Sequence, residues 1–312
     1  MDPAVAQVRR AVRLALADLA AGDLVLVGVS GGADSLALAA ATAAEAPRLG
    51  LRAGAVTVDH QLQPGSEQRA ESVADTCRRL DLDPVLVERV TVRGGGGVEA
   101  AARRARYAAL ESAAAGCAAV AILVGHTLDD QAESVLLGLA RGSGTRSLAG
   151  MRSARGMIRR PLLGVPRNAV AAACRAFGLQ PWQDPHNADP RYARARVRQR
   201  VLPMLERELG PGVAAALARS AELLRADADA LDAWAHQAPA DLDPVALGQL
   251  PEAVRSRVLR RAALTAGVPA SALTAEHTRA IAELVTAWHG QGPVSLPGGY
   301  EAVRECGRLS IR

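Results

Sequence analysis

The chain has 312 residues; nearly half are hydrophobic, but only seven are aromatic, and the abundance of alanine favours helices packed through small side chains. The longest apolar stretch, near residues 113–124, is too short for the roughly 20 residues of a bilayer-spanning helix, and the N-terminus lacks a signal-peptide pattern. All 37 basic residues are arginine, which excludes a Walker A lysine and a Schiff-base lysine. We expect a cytoplasmic protein with no membrane partner.

Cysteine spacing and charge distribution narrow the class further. The four cysteines stand alone, without a CxxC pair, which disfavours disulfides, zinc sites and iron–sulfur clusters. Residues 141–210 contain 14 arginines against four acids, whereas the rest of the chain is net acidic. A basic middle segment on an otherwise acidic protein indicates a polyanionic partner.

Helical and strand patterns alternate along the first part of the chain. The helical patterns cover residues 4–20, 36–46, 67–80, 98–114 and 168–177, and the strand patterns cover residues 24–29, 53–58, 84–92, 119–124 and 158–163. This alternation predicts an α/β fold with a doubly wound parallel sheet, whose ligand lies at the carboxyl ends of the strands.

The pattern changes near residue 202 to helices only, at about 203–237 and 251–288, followed by a small hairpin at the end. We therefore predict two domains: a nucleotide-binding domain over residues 1–205, and a mainly helical domain with a terminal hairpin over residues 206–312.

The loop after the first strand reads Ser30-Gly31-Gly32-Ala33-Asp34-Ser35. A glycine pair between a strand and a helix lets backbone N–H groups surround phosphate oxygens at the positive end of the helix. Asp34 would repel a phosphate unless a cation lay between them, so we interpret it as a Mg²⁺ ligand. The alternative is an ordinary turn in which Asp34 caps the helix.

Two further groups of charged residues are predicted to lie at the carboxyl edge of the sheet. Arg103 and Arg106 are three residues apart on one helix and share a face, so both can point into one anionic site; a solvated basic face is the alternative. His126 ends the fourth strand, and Asp129 and Asp130 follow in the first turn of the next helix. This grouping suggests a metal-and-base cluster, although acids in a first turn also favour the helix dipole.

The string Ser-Gly-Gly-x-Asp-Ser resembles the pyrophosphate loop (PP-loop) of the N-type ATP pyrophosphatases. The resemblance implies an adenine nucleotide alpha hydrolase-like fold that uses ATP with Mg²⁺ to adenylate an oxygen of the substrate. It also implies an ATP-binding set that consists of Ser30, Gly31, Gly32, Ala33, Asp34, Ser35 and Asp59.

Four more strings are similar to motifs of the tRNA(Ile)-lysidine synthetase family. They are Val58-Asp59-His60-Gln61-Leu62, the helix Glu99 to Tyr107, the run His126 to Ser134, and Arg141-Gly142-Ser143-Gly144 leading to Leu148-Ala149-Gly150-Met151. The resemblance implies a ligase that joins L-lysine to the wobble cytidine of a CAU-anticodon tRNA(Ile), and releases AMP and pyrophosphate.

The reaction assigns expected roles to the motif residues. Mg²⁺ on Asp34 and Asp130 would neutralise the phosphates, and Arg106 or His126 would stabilise the transition state. Asp129 or Asp130 would take the proton from the lysine amine. Spacing alone leaves open which aspartate has which role.

An arginine-rich stretch follows Asp184-Pro185-His186-Asn187 and is expected to bind tRNA phosphates, with Tyr192 and Trp182 available for base stacking. The alternative is a solvated basic helix. The sequence departs from the family pattern at Gln63, Ser147 and His186, which loosens individual substrate contacts. The expected tRNA-binding residues are Arg191, Arg194, Arg196, Arg198 and Arg200.

The length resembles the short form of the family, which implies a helical domain that contacts tRNA and suggests a homodimer. A sulfur transferase of the same superfamily is one alternative, disfavoured because the chain has no CxxC. A small-molecule amidating ligase is another, and would not need a basic flank. A non-catalytic RNA-binding protein is the third, and would not need Asp34, Asp129 and Asp130.

Overall fold

The computed structural model describes residues 2–61, 64–91, 98–182, 189–238 and 241–312, without the side chains of residues 98–100. The chain divides into two compact units, Met1–Glu222 and Leu223–Arg312. The domain boundary expected between residues 205 and 206 stays a prediction.

A six-stranded sheet forms the centre of the first unit, in the order β3-β2-β1-β4-β6-β5. Its strands are β1 (Leu24–Gly28), β2 (Arg52–Asp59), β3 (Val85–Arg89), β4 (Ala121–Val124), β5 (Ala154–Arg155) and β6 (Ile158–Arg159). All the neighbours pair in parallel except β5, which runs antiparallel to β6 at the edge. The predicted α/β class with a mostly parallel sheet is confirmed.

The fifth predicted strand, which forms β6, is shorter than expected. The pattern over residues 158–163 forms a strand only at Ile158–Arg159, and Pro161–Gly164 forms a 3-10 helix. Proline has no backbone N–H to donate to the ladder, so it ends the strand. The two-residue strand β5 was not predicted, because two residues are too few to show alternation.

Helices cover both faces of this sheet. Successive side chains of a strand point to opposite faces, and both faces of β1 carry apolar side chains that must be buried. Val25 and Val27 of β1 pack in a cluster with the N-terminal helix and its neighbours, whereas Leu24 and Leu26 pack with Leu110 on the other face. The helices of the unit are α1 (Pro3–Leu16), α2 (Ala33–Glu45), α3 (Ser66–Arg79), α4 (Val98–Gly116), α5 (Leu128–Leu139), α6 (Thr145–Leu148), α7 (Arg167–Ala176), α8 (Ala193–Arg196) and α9 (Leu202–Glu208).

The C-terminal region contains helices and a small sheet, as expected, but its helices are shorter than predicted. The pattern over residues 203–237 is broken after α9, where Gly210 and Gly212 have φ of 91° and 102°. The pattern over 251–288 is broken at Gly267, with φ of 108°. The observed helices are α10 (Val213–Gln237), α11 (Pro244–Gln249), α12 (Glu252–Ala266) and α13 (Ala275–Thr286).

The predicted terminal hairpin is a three-stranded antiparallel sheet, β7 (Val294–Leu296), β8 (Tyr300–Glu305) and β9 (Arg308–Ile311). Its inward side chains Leu296, Ala302 and Leu309 join the buried cluster of the second unit, which also contains Ile281 and Leu284 of α13. None of the helices in the described ranges has the length and hydropathy needed to cross a bilayer.

Candidate active site

The Ser30–Ser35 loop connects the carboxyl end of β1 to the amino end of α2, where sequence analysis placed a phosphate site. The Ser30 N–H donates to Ser35 Oγ at 3.1 Å, and Ser35 Oγ donates to the Gly32 carbonyl at 3.0 Å. These bonds close the loop on itself and leave the first N–H groups of α2 for a ligand. The loop therefore has the structure of an anion-binding turn.

Close packing fixes the shape of this loop. Gly31 has φ of 83°, and an added Cβ would lie 2.8 Å from Val73 Cγ2. Its carbonyl accepts the N–H of Trp182 at 3.0 Å. At Gly125, after β4, an added Cβ would lie 3.1 Å from the backbone of Asp34. The loop thus touches the end of the neighbouring strand.

We expect Gly31→Ala to weaken ATP binding about tenfold, because left-handed strain of roughly 1–2 kcal/mol and the contact with Val73 both act on the loop that grips the phosphates. Calorimetric titration with ATP measures the effect. Gly178→Ala is the matched control, since Gly178 has φ of 73° with no atom within 4 Å of an added Cβ. Equal ATP affinity of the two variants would contradict the prediction.

Asp34 lies in the first turn of α2 with 28% of its side chain exposed, and its Oδ2 is 3.9 Å from Arg167 Nε. Burial raises the pKa of Asp34 to about 6; the Arg167 cation opposes this shift, and the nearby charges of Asp130 and Asp129 add to it. A carboxylate that is costly to ionise gains most from a neighbouring cation. This is the behaviour expected of a Mg²⁺ ligand beside phosphate.

Asp130, in the first turn of α5, has every carboxylate position occupied. Its Oδ2 accepts the N–H of Thr127 at 2.8 Å, and its Oδ1 accepts Arg167 at 3.0 Å and Arg198 at 2.9 Å. Burial raises the pKa of Asp130, but Arg167, the Thr127 N–H, Arg194 and Arg198 outweigh it and lower the pKa below its usual value. Asp130 is therefore a buried carboxylate held in the charged form.

Glu133, one turn further along α5, is completely buried and binds the same three arginines. Its Oε1 accepts Arg167 at 3.0 Å and Arg198 at 2.8 Å, and its Oε2 accepts Arg194 at 2.9 Å. Three guanidinium groups thus surround two carboxylates at the carboxyl edge of the sheet. We call Asp130, Glu133, Arg167, Arg194 and Arg198 the arginine–acid cluster.

Arg167 contacts all four acids of the site. Its backbone N–H donates to Asp129 Oδ2 at 2.7 Å at the start of α7, and its guanidinium bonds Asp130 and Glu133 and lies near Asp34. Arg167 was not among the predicted site residues. Its only signal was an arginine after a proline that follows the last strand of the parallel run.

Asp129 and His126 have different surroundings from Asp130. Asp129 is partly exposed, and within the described ranges only the Arg167 N–H bonds its carboxylate. Burial and the cations of Arg103, Arg160 and Arg106 lower the pKa of His126 to about 3, against the opposing charge of Asp130. His126 is therefore neutral at pH 7, and its buried Nδ1 finds no hydrogen-bond partner among the described residues.

Arg106 lies on α4 among other cations. Burial lowers its pKa, and the nearby charges of Arg103 and Arg194 act in the same direction. Its guanidinium carbon is 5.6 Å from the centre of the Tyr107 ring, and its charge contributes to lowering the pKa of His60, after burial. A half-buried guanidinium without a carboxylate partner among the described residues is suited to an anionic ligand.

Asp59, expected to bind ATP, is buried at the end of β2 and accepts the Gln61 N–H at 2.9 Å. A cavity of about 260 Å³ opens beside it, with Glu67 and Arg89 among its lining residues. The cavity lies at the carboxyl edge of the sheet, where sequence analysis placed the nucleotide.

The five arginines predicted to bind tRNA fall into two groups. Arg194 and Arg198 point inward to the arginine–acid cluster, and Arg198 lies in a π-helix over Val197–Val201. The other three are exposed: Arg191, Arg196 and Arg200.

The base-stacking roles of Trp182 and Tyr192 stay predictions. Trp182 lies against Arg69, whose guanidinium carbon is 4.7 Å from the ring centre, and Tyr192 precedes α8. The motif positions Leu62 and Gln63 and the segment 183–188 lie outside the described residues.

The donor set decides where a Mg²⁺ ion could bind. In the described part of the chain, no group of three or more His, Cys, Asp or Glu side chains could hold a metal ion. Mg²⁺ usually binds through one or two carboxylates together with substrate phosphates and water, so the single carboxylate of Asp34 is sufficient on the protein side. Asp130 fits only after it releases an arginine, because its oxygens are already bonded.

Two family models match the chain. The model described as a PP-loop domain matches residues 5–205, and the model described as a TilS substrate binding domain matches residues 242–310. The first covers the six-stranded sheet and the arginine–acid cluster, and the second covers the last helices and the small sheet.

Two relatives that match nearly the whole of this chain have the same name. The tRNA(Ile)-lysidine synthase of Thermobifida fusca is 59% identical over 99% of this chain and 98% of its own. The tRNA(Ile)-lysidine synthase of Streptomyces coelicolor is 58% identical over 94% of this chain and 86% of its own. Among solved structures, a U34-tRNA thiolase from Methanococcus maripaludis matches with a TM-score of 0.59 at 20% identity, over 71% of this chain and 80% of that one; this likeness concerns the fold alone.

Proposed function

The chain belongs to the tRNA(Ile)-lysidine synthase family, and on that premise we propose that it joins L-lysine to the wobble cytidine of the CAU-anticodon tRNA(Ile). The cytosine carbonyl oxygen attacks the α-phosphate of ATP, and pyrophosphate leaves. The lysine amine then attacks the activated ring carbon and loses a proton, and AMP leaves. The supporting observation is that Arg167 connects the PP-loop residue Asp34 with the acids of α5.

The PP-loop supplies the grip on ATP in this proposal. Backbone N–H groups at the start of α2, together with the Ser30 and Ser35 hydroxyls, bind the pyrophosphate. Asp34 would hold Mg²⁺, and the ion would supply positive charge to neutralise the phosphates. The role of Asp130 as a second Mg²⁺ ligand stays a prediction, since the arginine–acid cluster already satisfies its carboxylate.

The described contacts support a division of the catalytic roles. Arginine stays charged even where burial lowers its pKa, so Arg106 is the better candidate to stabilise the negatively charged transition state, because His126 is neutral at pH 7. Neutral His126 can still donate or accept a hydrogen bond to the substrate. Asp129 is the better candidate for the base, because it is partly exposed and bonded by one N–H, whereas Asp130 is saturated.

We assign the tRNA contacts of the arginine-rich stretch to its exposed members, Arg191, Arg196 and Arg200. Arg194 and Arg198 reach the site only through their carboxylate partners, so they act on tRNA only if the ligand displaces those bonds. The second compact unit contains the region that matches a substrate-binding domain, which supports its assignment as a further tRNA-contacting part.

A lysine-incorporation assay tests the function. Purified protein, ATP, Mg²⁺ and labelled lysine are incubated with transcripts of the CAU-anticodon isoleucine tRNA and of the methionine tRNA with the same anticodon. We expect label in the isoleucine tRNA only, with one pyrophosphate released per lysine. No label in either tRNA, or equal label in both, would show the assignment to be wrong.

Two broader expectations accompany the proposal. We propose that the enzyme works in the cytoplasm and forms a homodimer, and light scattering of the purified protein measures the second. The sulfur-transferase alternative is disfavoured because the four cysteines form no CxxC pair; in addition, burial raises the pKa of Cys77 to about 11 and also raises the pKa of Cys174. A thiol that stays protonated at neutral pH is a poor nucleophile.

A further inference from the structure

A second basic surface lies outside the arginine-rich stretch, on the segment between α5 and β6. No acidic residue occurs from residue 134 to residue 183. Within this run the segment 141–156 is mostly exposed, and it carries four exposed arginines: Arg141, Arg146, Arg152 and Arg155. We call these four residues the 141–155 arginine face.

The segment is held in place by directional contacts. Gln131 is buried, and its Oε1 accepts the Met151 N–H at 2.8 Å while its Nε2 donates to the Met151 carbonyl at 3.2 Å. Gly150, with φ of 60°, fits against this amide, and an added Cβ would lie 2.6 Å from Gln131 Oε1. A freely solvated loop would not need such a bidentate contact, so the face is presented in a defined position.

The residues that hold the 141–155 arginine face in place, Gln131 and Arg160, lie at the catalytic edge of the sheet. Gln131 follows Asp130 directly in α5, so one helical turn carries both the acid and the anchor. The Arg160 side chain donates to the Arg152 carbonyl at 2.9 Å, and the charge of Arg160 also acts on His126. The basic face is thus attached, through two short connections, to the residues that surround the reacting base in the proposed function.

We propose that the 141–155 arginine face binds the phosphate backbone of the tRNA substrate beside the modified nucleotide. The inference rests on the proposed function, because it assumes that RNA enters at this edge. Four guanidinium groups with no acid in the segment form an electropositive surface, and phosphates are its complementary ligand. Arginine also binds phosphate oxygens through two parallel hydrogen bonds, which fixes the position of the backbone.

The test compares two double variants that remove the same charge. Arg141→Gln/Arg155→Gln changes two arginines of the face, for which the described residues provide no ion pair. Arg48→Gln/Arg52→Gln is the control, because both residues are exposed and Arg52 begins β2 at the opposite edge of the sheet. Anisotropy of labelled tRNA is recorded from 50 to 300 mM salt, together with KM for tRNA and for ATP.

We expect the Arg141/Arg155 variant to bind tRNA about tenfold more weakly and to lower the slope of log affinity against log salt by about 1.5, since each lost phosphate contact contributes about 0.7 to 0.9. KM for tRNA should rise in proportion, with KM for ATP unchanged, and the control should match wild type. Equal behaviour of the two variants would overturn the proposal, whether both bind normally or both bind weakly.

The outcome for the surface is separable from the outcome for the activity. If lysine is incorporated and the two variants bind tRNA alike, the arginine face is wrong and the ligase function stands. If wild-type protein incorporates no lysine but the Arg141/Arg155 variant alone loses tRNA affinity, the ligase function is wrong and the surface stands.

Discussion

Asp34→Asn is expected to abolish lysine incorporation while making the folded protein more stable at pH 8. The carboxylate that would hold Mg²⁺ is lost, so pyrophosphate release should fall by a factor of about 10³ or more. The gain in stability follows from burial, which raises the pKa of Asp34 to about 6 from 3.8. Ionised Asp34 therefore costs folding free energy in the absence of a bound cation.

Burial of Asp34 makes the stability of the folded protein depend on pH. The folded state keeps the Asp34 proton up to pH near 6, whereas the unfolded chain releases it near 3.8. Stability from this group therefore falls as pH rises from about 4 to 6, and the cost stays in place above that range. Asparagine removes a cost on the order of 2 kcal/mol at pH 8, reduced from the full shift because the side chain is partly exposed.

Urea unfolding at pH 4 and at pH 8, without nucleotide, measures this difference. The variant should exceed wild type at pH 8 and approach it at pH 4. Asp75→Asn is the control, because Asp75 is 55% exposed in a surface pair with Arg78 and should change stability by about 1 kcal/mol at most. An Asp34→Asn protein that keeps activity, or that is less stable than wild type at pH 8, would contradict the prediction.

The alternation of strands and helices and the PP-loop could be predicted from the sequence because their signals are local, whereas the order of the strands in the sheet was not predicted. The run of valines before Ser30 and the alternation of strand and helix patterns need only short windows to read. The two long helices predicted over residues 203–237 and 251–288 are each divided in the structure, and the reason is also local. Gly210 and Gly267 adopt left-handed backbone, which ends a helix even though the apolar spacing continues on either side.

The arginine–acid cluster could not be predicted, because its pairs join distant parts of the chain. Arg167 lies 34 residues from Glu133, and Arg194 lies 61 residues from it. Spacing showed Arg194 and Arg198 as members of a basic stretch, which is equally consistent with phosphate contacts and with buried carboxylate partners. Only the fold decides which members of such a stretch turn inward.

Glu133→Gln is expected to destabilise the protein by about 3–5 kcal/mol, because it removes the charged partner of three guanidinium groups at a fully buried position. The Glu133 side chain has 0% exposure and bonds Arg167, Arg194 and Arg198. The glutamine amide would also turn a donor toward cations. We expect lysine incorporation to fall with it, since Arg167 and Arg198 also hold Asp130. Urea unfolding and the incorporation assay measure the two effects.

Glu45→Gln separates stability from catalysis. Glu45 is also 0% exposed, and it pairs with Arg9 and Arg13 of α1, away from the PP-loop edge. We expect this variant to lose stability as well, by about 3 kcal/mol, but to keep the turnover number of wild type under conditions where both proteins are folded. If Glu133→Gln lost stability without any loss of turnover, the arginine–acid cluster would be a structural element only.

A second-site change identifies what Arg194 does. In a cycle with Glu133→Gln, Arg194→Gln should recover part of the lost stability, because it removes a buried cation that has lost its partner; a coupling of roughly 1–3 kcal/mol is typical of such pairs. Arg194→Gln alone should leave the salt dependence of tRNA binding unchanged, whereas Arg196→Gln, an exposed neighbour, should lower it. The opposite result would be stabilities that add without coupling, together with a lower salt slope for Arg194→Gln. It would place Arg194 on tRNA phosphates, because a guanidinium that neutralises a phosphate must contribute to the release of counterions.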